Sequence, residues 1–424
     1  MTMPEQKKAV VPRLRFPEFR DAGPWEVKPL YDLAVRLTER NKSLAVTRIL
    51  TNSAEHGVVD QREFFDKDIA QQEALENYFL VDNCDFVYNP RVSTSAPVGP
   101  ISINRLGLGV MSPLYTVFRF KRGIAEYYAF FFKTSAWHSY LLKAGNTGAR
   151  HDRIAISTDD FMAMPVPEPT IPEQQKIADC LSSLDELIEL QAKQLEALQA
   201  HKQGLMQQFF PCEGETTPRL RFPEFRDAGP WEIRTIEDIA EKIAQGGTPD
   251  TTVPEFWNGE IPWITPAEMG DDALHHYTKQ TVRALSTIGL QNSSAEILPA
   301  YSVIVSSRAP IGYVTINTVP MATNQGCKGI VPKQQIYHEF LYYSLLRAKR
   351  QLNDLGAGAG FKEISASSLK KLKILMPERA EQQKIADCLS SLDELIELQA
   401  KQLEALQAHK KGLMQQLFPQ EIDL

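Results

Sequence analysis

Thirty consecutive residues occur twice without change: EQQKIADCLSSLDELIELQAKQLEALQAHK runs from Glu173 to Lys202 and again from Glu381 to Lys410. Its apolar positions alternate by four and three, through Ile177, Leu181, Leu184, Ile188, Leu195, Leu198, Leu205 and Phe209. Gln191 and Lys202 interrupt the series. A heptad seam with two polar positions predicts a long helix in search of a helical partner. About 35 residues at roughly 1.5 Å each give a rod on the order of 50 Å. Two unrelated amphipathic helices, each packed on its own domain, is the simpler reading, but a globular helix rarely keeps so strict a period over five heptads.

The polar positions predict how the copies pair. A parallel in-register pair sets Lys202 beside Lys410, two like charges in one layer. An antiparallel pair sets Gln191 against Lys410 and Lys202 against Gln399. The other layers are then apolar: Leu184 with Leu417, Ile188 with Leu413, Leu195 with Leu406, Leu198 with Leu403, Leu205 with Ile396. Sliding by one heptad leaves Gln facing Leu, at about 1–3 kcal/mol per unpaired buried polar group. The expectation is antiparallel, with a seam of Leu184, Ile188, Gln191, Leu195, Leu198, Lys202 and Leu205 on one helix and Leu392, Ile396, Gln399, Leu403, Leu406, Lys410 and Leu413 on the other.

A second duplication extends the pattern. PRLRFPEFRDAGPWE runs from Pro12 to Glu26 and returns from Pro218 to Glu232. The offsets of 206 and 208 make the chain one module of about 207 residues written twice. The proline- and glycine-rich connectors read as extended segments with turns, and Trp25 and Trp231 as anchors onto the neighbouring domain. The organisation expected is a connector over 1–27, a mixed domain over 28–172, a helix over 173–211, a connector over 212–233, a second mixed domain over 234–378 and a second helix over 379–424.

Between the repeats the two halves share little. A short helix at Leu30–Ala34 matches Ile236–Ala240. Runs at Phe86–Tyr88, Leu114–Phe118, Ser302–Ser306 and Tyr313–Ile316 read as strands. Glu126–Leu142 and Ile336–Leu352 read as amphipathic helices, each followed by a glycine-containing loop, at 145–148 and 356–360. Equivalent order in both halves predicts one α+β fold with different surface loops.

Net charge over the 424 residues is −7, which alone argues against a polyanion partner. Its distribution argues for one. Nine basic residues against two acids give +7 between Phe86 and Ser157, and ten against three give +7 between Tyr301 and Met376. The helical repeat carries six acids and three lysines. Matching basic blocks in two otherwise different domains fit a bipartite polyanion binder; an ordinary solvated surface is the alternative. The five cysteines show no metal-site spacing and fit a reducing compartment. No run has signal-peptide or membrane-span character, so a soluble cytoplasmic chain is expected.

Catalytic signatures are not legible. Asn89-Pro90-Arg91 lacks the aromatic loop that amine methylation of DNA needs. In Gly356–Lys362, Phe361 separates the last glycine from the lysine and no Ser or Thr follows, against a phosphate loop. His275-His276 has no ligand companion and reads as surface histidine.

Two variable domains, each followed by a near-identical long helix, resemble the specificity (S) subunit of type I restriction-modification systems. The resemblance rests on Trp25-Glu-Val with Leu30 and Asp32-Leu-Ala, repeated from Trp231, and on Gly246-Gly-Thr-Pro249 followed by Trp257–Thr265. It rests further on Leu298–Gly312, Thr323-Asn-Gln-Gly326 and the run from Pro377 into Glu381-Gln-Gln. The first domain lacks the Gly-Gly-Thr-Pro opening. The resemblance covers essentially the whole chain. It implies two target-recognition domains of mixed α/β structure joined by an antiparallel coiled coil with internal two-fold pseudo-symmetry. Each domain would read one half of a split site in double-stranded DNA. Two methyltransferase subunits would dock on the helices, and motor-endonuclease subunits would join them. No cofactor is expected in this chain; S-adenosylmethionine, ATP and Mg would belong to the partners, as would catalysis.

Phosphate contacts then fall to Lys and Arg, and base choice to bidentate and amide groups. The candidates are Arg91, Thr94, Ser95, Asn104, Arg105, Lys143, Asn146, Thr147, Arg150, His151 and Arg153 in the first domain. In the second they are Thr248, Ser306, Ser307, Arg308, Thr323, Asn324, Gln325, Lys328 and Lys362. The rival readings are a pseudo-symmetric coiled-coil adaptor joining two protein-binding domains, an enzyme in its own right, and an S subunit of a related system with a fused nuclease partner.

Overall fold

The computed structural model describes residues 9–64, 72–147, 152–270, 276–356, 363–420 and 422. The chain forms two compact units: Met1–Leu190 with Glu404–Leu424, and Gln191–Leu403. Each repeat is a single 39-residue helix, Ile171–Phe209 and Arg379–Leu417, and each helix contributes a part to both units.

In the first unit a four-stranded antiparallel sheet runs in the order Ala34–Leu37, Thr116–Phe120, Phe86–Tyr88, Ile101–Ile103. The second unit repeats that order with Ala240–Gln245, Cys327–Pro332, Val303–Ser306 and Val314–Asn317, and adds Tyr277–Thr278 in parallel. The expected strands are present in both, and the two domains are one fold. The alternation of apolar residues gives way to full burial in Phe86–Tyr88 and Val303–Ser306, which are interior strands covered on both faces.

The two expected amphipathic helices are each broken. Ala125–Phe131 and His138–Ala144 are separated where the Thr134 hydroxyl donates to the Phe131 carbonyl (2.7 Å) and the Trp137 indole to Phe132 O (3.2 Å). His338–Arg347 and Lys349–Leu355 part at Ala348. The short helices Leu30–Leu33 and Ile236–Ile239 stand where the pattern put them.

The connectors are tied down by identical clasps. Arg15 gives Nε and Nη2 to the Glu173 carboxylate at 2.8 and 2.6 Å, and Arg221 does the same to Glu381 at 2.8 and 2.6 Å. The next residue of the repeat completes the joint. Gln174 accepts from Ile124 N (2.9 Å) and donates to Pro169 O (2.9 Å); Gln382 accepts from Tyr337 N (2.9 Å) and donates to Pro377 O (2.9 Å). Trp25 and Trp231 are buried, the first against Tyr127 and the second against Phe210 and Phe340, as anchors should be.

The helices pair antiparallel within each unit, and all fourteen expected seam residues are at least partly buried. The register differs from the expectation by one heptad. Lys202 donates to Asp393 rather than to Gln399, and Lys410 to Asp185 rather than to Gln191. Gln191 donates to Gln402 (3.4 Å). These partners lie six, six and eight residues from those expected. The apolar layers, Leu184 with Leu417 through Leu205 with Ile396, are displaced with them. The expectation weighed only seam residues against one another. Asp185 and Asp393, one position beyond Leu184 and Leu392, reach back to the lysines, and a charge-assisted bond outweighs a Lys–Gln contact. The cost falls on Gln399, whose Oε1 is buried without a protein partner among the described residues.

Candidate nucleic-acid interface

In the first unit, the chain leaving Phe86–Tyr88 turns through Asn89-Pro90-Arg91. Ile154 N donates to Pro90 O (2.9 Å) and Val92 N to Asp152 O (3.0 Å), so Arg91 and Arg153 stand opposite each other as an antiparallel bridge. Arg153 is 4.0 Å from Asp152, and Arg91 carries no ion pair among the described residues. The two arginines line a cleft of about 280 Å³ with Thr51, Asn52, Ser93 and Tyr115. Buried Asn52 shapes its floor, donating to Val87 O (2.7 Å) and Pro100 O (3.1 Å), while Asn89 donates to Asn52 O (2.9 Å). Asn146 and Thr147 pair with Ala155 and Ile154, which brings that hairpin to the same edge. Lys143, Thr94 and Ser95 are exposed. Arg150 and His151 lie outside the described residues.

Two candidates in this domain are reassigned. Asn104 is fully buried, donating to Asp82 O (2.8 Å) and Gly107 O (2.9 Å); it holds its own loop and is closed to a ligand. Arg105 forms a two-pronged bond with Glu126 (2.8 and 3.0 Å) and lines a different cleft, with Lys133 and Asp185. The +7 block is thus partly neutralised by the domain's own carboxylates: Arg119 pairs with Asp85 and Arg122 with Glu168, both arginines remaining about half exposed. Asn52, Asn89 and Tyr115 were not among the residues expected to contact DNA; Asn89 entered only in the Asn-Pro-Arg string that lacks a methylation loop.

In the second unit the equivalent strand, Val303–Ser306, leads to Arg308, which bridges Glu363 as Arg91 bridges Arg153. Arg308 Nε donates to Glu363 (3.0 Å), and Lys328 reaches the same carboxylate at 3.5 Å and Gln325 O at 3.3 Å. Thr248 donates to Gln325. Asn324 accepts from Gly326 N (2.9 Å), and its own N–H is given to Ile264 O (3.0 Å). Gly247 N donates to Thr323 O (2.9 Å). The glycines of the Gly-Gly-Thr-Pro string are forced by this crossing. A Cβ on Gly246 would stand 1.7 Å from Asn324 O, and one on Gly247 2.3 Å from Ala295 N. The exposed groups here are Thr248, Gln325 and Arg308, with Asn324 half-buried.

Ser306, Ser307, Thr323 and Lys328 are corrected to interior positions. Ser306 is a turn-former: its hydroxyl donates to Pro310 O (2.6 Å) and accepts from Tyr313 N (2.8 Å). Lys362 lies outside the described residues. So does His275, but its neighbour is no surface histidine: His276 is buried and stacked on Tyr342 at 4.1 Å, and burial, with Lys202 and His338 nearby, pulls its pKa down to about 3. Aromatic stacking by residues distant in sequence left no local sign of this.

Among the described residues no three His, Cys, Asp or Glu side chains converge as a metal site, and no helix is long and apolar enough to cross a membrane.

Known proteins resemble this chain along much of its length. Residues 76–200 and 229–408 match the type I restriction modification DNA specificity domain. The MjaIX specificity subunit of Methanocaldococcus jannaschii is 41% identical over 180 residues, 42% of this chain and 41% of that protein. The EcoR124I/EcoR124II specificity subunit of Escherichia coli is 28% identical over 60% of this chain and 64% of its own length. The chain thus spans under two thirds of either relative. Among solved structures, the S subunit of the type I system of M. genitalium matches with a TM-score of 0.60 at 13% identity, over 98% of this chain and 100% of that one. A chain from a structural study of type I R-M complex assembly matches at 0.54 and 16%, over 93% and 97%. With the family's domain present twice over most of its length, the chain belongs to the type I restriction-modification DNA specificity family.

Proposed function

We propose that this chain is the DNA-reading subunit of a type I restriction-modification complex in the cytoplasm, each recognition domain reading one half of a split duplex sequence. The observation that carries this is a shared scaffold with unlike edges. Both units use one sheet order and one bridge after the third strand, yet the first presents Arg91 opposite Arg153 and the second Arg308 opposite Glu363. Domains kept alike in frame and unlike at one polar edge suit two different half-sites.

The paired helices set the half-site separation and dock two methyltransferase subunits, with motor-endonuclease subunits joining the assembly. Docking is supported by duplicated exposed leucines, Leu187 and Leu190 in one copy and Leu395 and Leu398 in the other. The chain supplies recognition and no catalysis; S-adenosylmethionine, ATP and Mg serve its partners. The test is equilibrium binding of the chain with its methyltransferase to duplexes carrying a split site. Affinity should fall linearly in log–log terms with salt, by about 0.9 per phosphate neutralised. Salt-insensitive association with protein alone, and none with duplex, would favour the adaptor.

A further inference from the structure

The second unit holds an arginine that the basic-block reading passed over. Arg283 opens the edge strand Arg283–Leu285 of a three-stranded sheet whose other members are Trp257–Ile264 and Ala322–Thr323. Its guanidinium carbon lies 3.4 Å from the centre of the Trp257 ring and 5.8 Å from that of Trp263. The two indoles meet edge to face at 5.0 Å, both buried. Each is fixed by its N–H, Trp257 to Asp250 O (3.1 Å) and Trp263 to Gly247 O (2.9 Å).

The arginine itself is exposed and has no ion pair among the described residues. Glu268, at the end of the one-turn helix Pro266–Glu268 that follows the neighbouring strand, is already engaged: it accepts from Thr265 N (3.1 Å), Thr265 Oγ1 (3.0 Å) and Val282 N (2.6 Å), the last next to Arg283 in the chain. Stacking of this kind occupies the flat face of the guanidinium and leaves its N–H edge pointing out, pre-oriented at little further entropy cost.

Placement gives the edge a target. Arg283 pairs across the sheet with Trp263, and Trp263 with Ala322. Two strand spacings put Arg283 about 10 Å from Ala322, which leads directly into the polar Thr323-Asn324-Gln325 turn. That separation is roughly three base-pair rises. A planar donor fork within reach of the same groove as two amides is suited to guanine, whose O6 and N7 accept such a fork.

We infer that Arg283 reads a guanine in the half-site bound by the second domain. The inference rests on the proposed DNA-reading function. It is tested in the complete methyltransferase complex by binding to a duplex set in which each base pair of its split site is varied. Arg283→Met keeps the apolar stack and removes the donors; Arg283→Lys keeps the charge and removes the fork. Both variants should melt as the wild type does. Both should lose roughly 5- to 150-fold in affinity for the cognate site, with discrimination lost at one G·C pair of the second half-site alone. An equal loss on every sequence, with a salt slope lower by about 1 and rescue by lysine, would make Arg283 a phosphate contact and overturn the inference. Unchanged binding would make the stack purely structural and overturn it too. A wild-type complex that binds no split duplex would instead sink the function on which the inference rests.

Discussion

The duplicated helix carries its own control for the worth of a cross-helix ion pair. Asp185 and Asp393 are the same residue of the repeat, and each faces the lysine of the other copy, yet their surroundings differ. In the second unit, Lys202 lies over the ring of Tyr343 (5.4 Å), whose hydroxyl donates to Asp393 (2.7 Å). Burial, reinforced by Asp393, holds that hydroxyl protonated well above its usual range. In the first unit Phe130 takes the tyrosine's place over Lys410 (5.1 Å) and brings no hydroxyl. Asp393 is accordingly 4% exposed and Asp185 43%. Asp393→Ala strands a largely buried ammonium and a buried phenol, at about 3–5 kcal/mol. Asp185→Ala removes a carboxylate that is 43% exposed and strands no phenol; with Lys410 as buried as Lys202, the two variants differ in the carboxylate's surroundings, and the loss here should be about 1 kcal/mol. With an urea slope of about 3 kcal/mol/M, the first substitution should lower the midpoint of the affected transition by at least about 1 M and the second by a few tenths. Adding Lys202→Met to Asp393→Ala should restore much of the loss, since an apolar replacement removes the stranded charge. Equal losses for the two aspartates, or no recovery in the double variant, would refute the reasoning.

Other outcomes follow from the same contacts. Arg15→Ala and Arg221→Ala should destabilise alike, by about 3–5 kcal/mol each, because the clasps are duplicates with side chains 6% and 2% exposed; unequal thermal shifts would contradict this. Glu339 is raised to about 7 by burial, with Asp387 and Glu394 adding to it. The fold therefore binds a proton that the unfolded chain releases near pH 4.5, and this stabilisation is complete below that value and lost as pH rises through 7. Glu339→Gln should flatten the descent in denaturation midpoints between those limits. His276 works the other way: its folded pKa of about 3 means stability is full above pH 6.5 and falls as the solution is acidified toward 3, a slope that His276→Phe should remove. Inserting one heptad at the same level of both helices should lengthen the spacer of the DNA site and leave the bases read unchanged, as sequencing of bound duplexes would report.

Repetition made the architecture legible. The two exact repeats fixed the long helices, their antiparallel sense, the connectors and the Trp25 and Trp231 anchors. The one-heptad register was lost because the deciding groups, Asp185 and Asp393, sit just off the apolar seam and their pairing depends on which helix level they meet. Charge counting located the basic regions but not their use: Arg105, Arg119 and Arg122 are consumed by Glu126, Asp85 and Glu168, carboxylates distant in sequence. Polar residue type misled at Asn104 and Ser306, where the side chain satisfies its own loop's backbone and so is buried. Arg91, Arg153, Arg308 and Gln325 are exposed in loops that follow or adjoin central strands, the kind of position from which they were chosen. Arg283 was missed because what distinguishes it, a stack on two indoles 20 and 26 residues away, has no local pattern.

The most direct test is to map base methylation genome-wide in cells carrying this chain with its methyltransferase, before and after residues 28–172 are exchanged for the corresponding domain of a relative. Two independent readers predict a split motif in which one half changes while the other half is retained. A contiguous motif, or an exchange that alters both halves together, would contradict it.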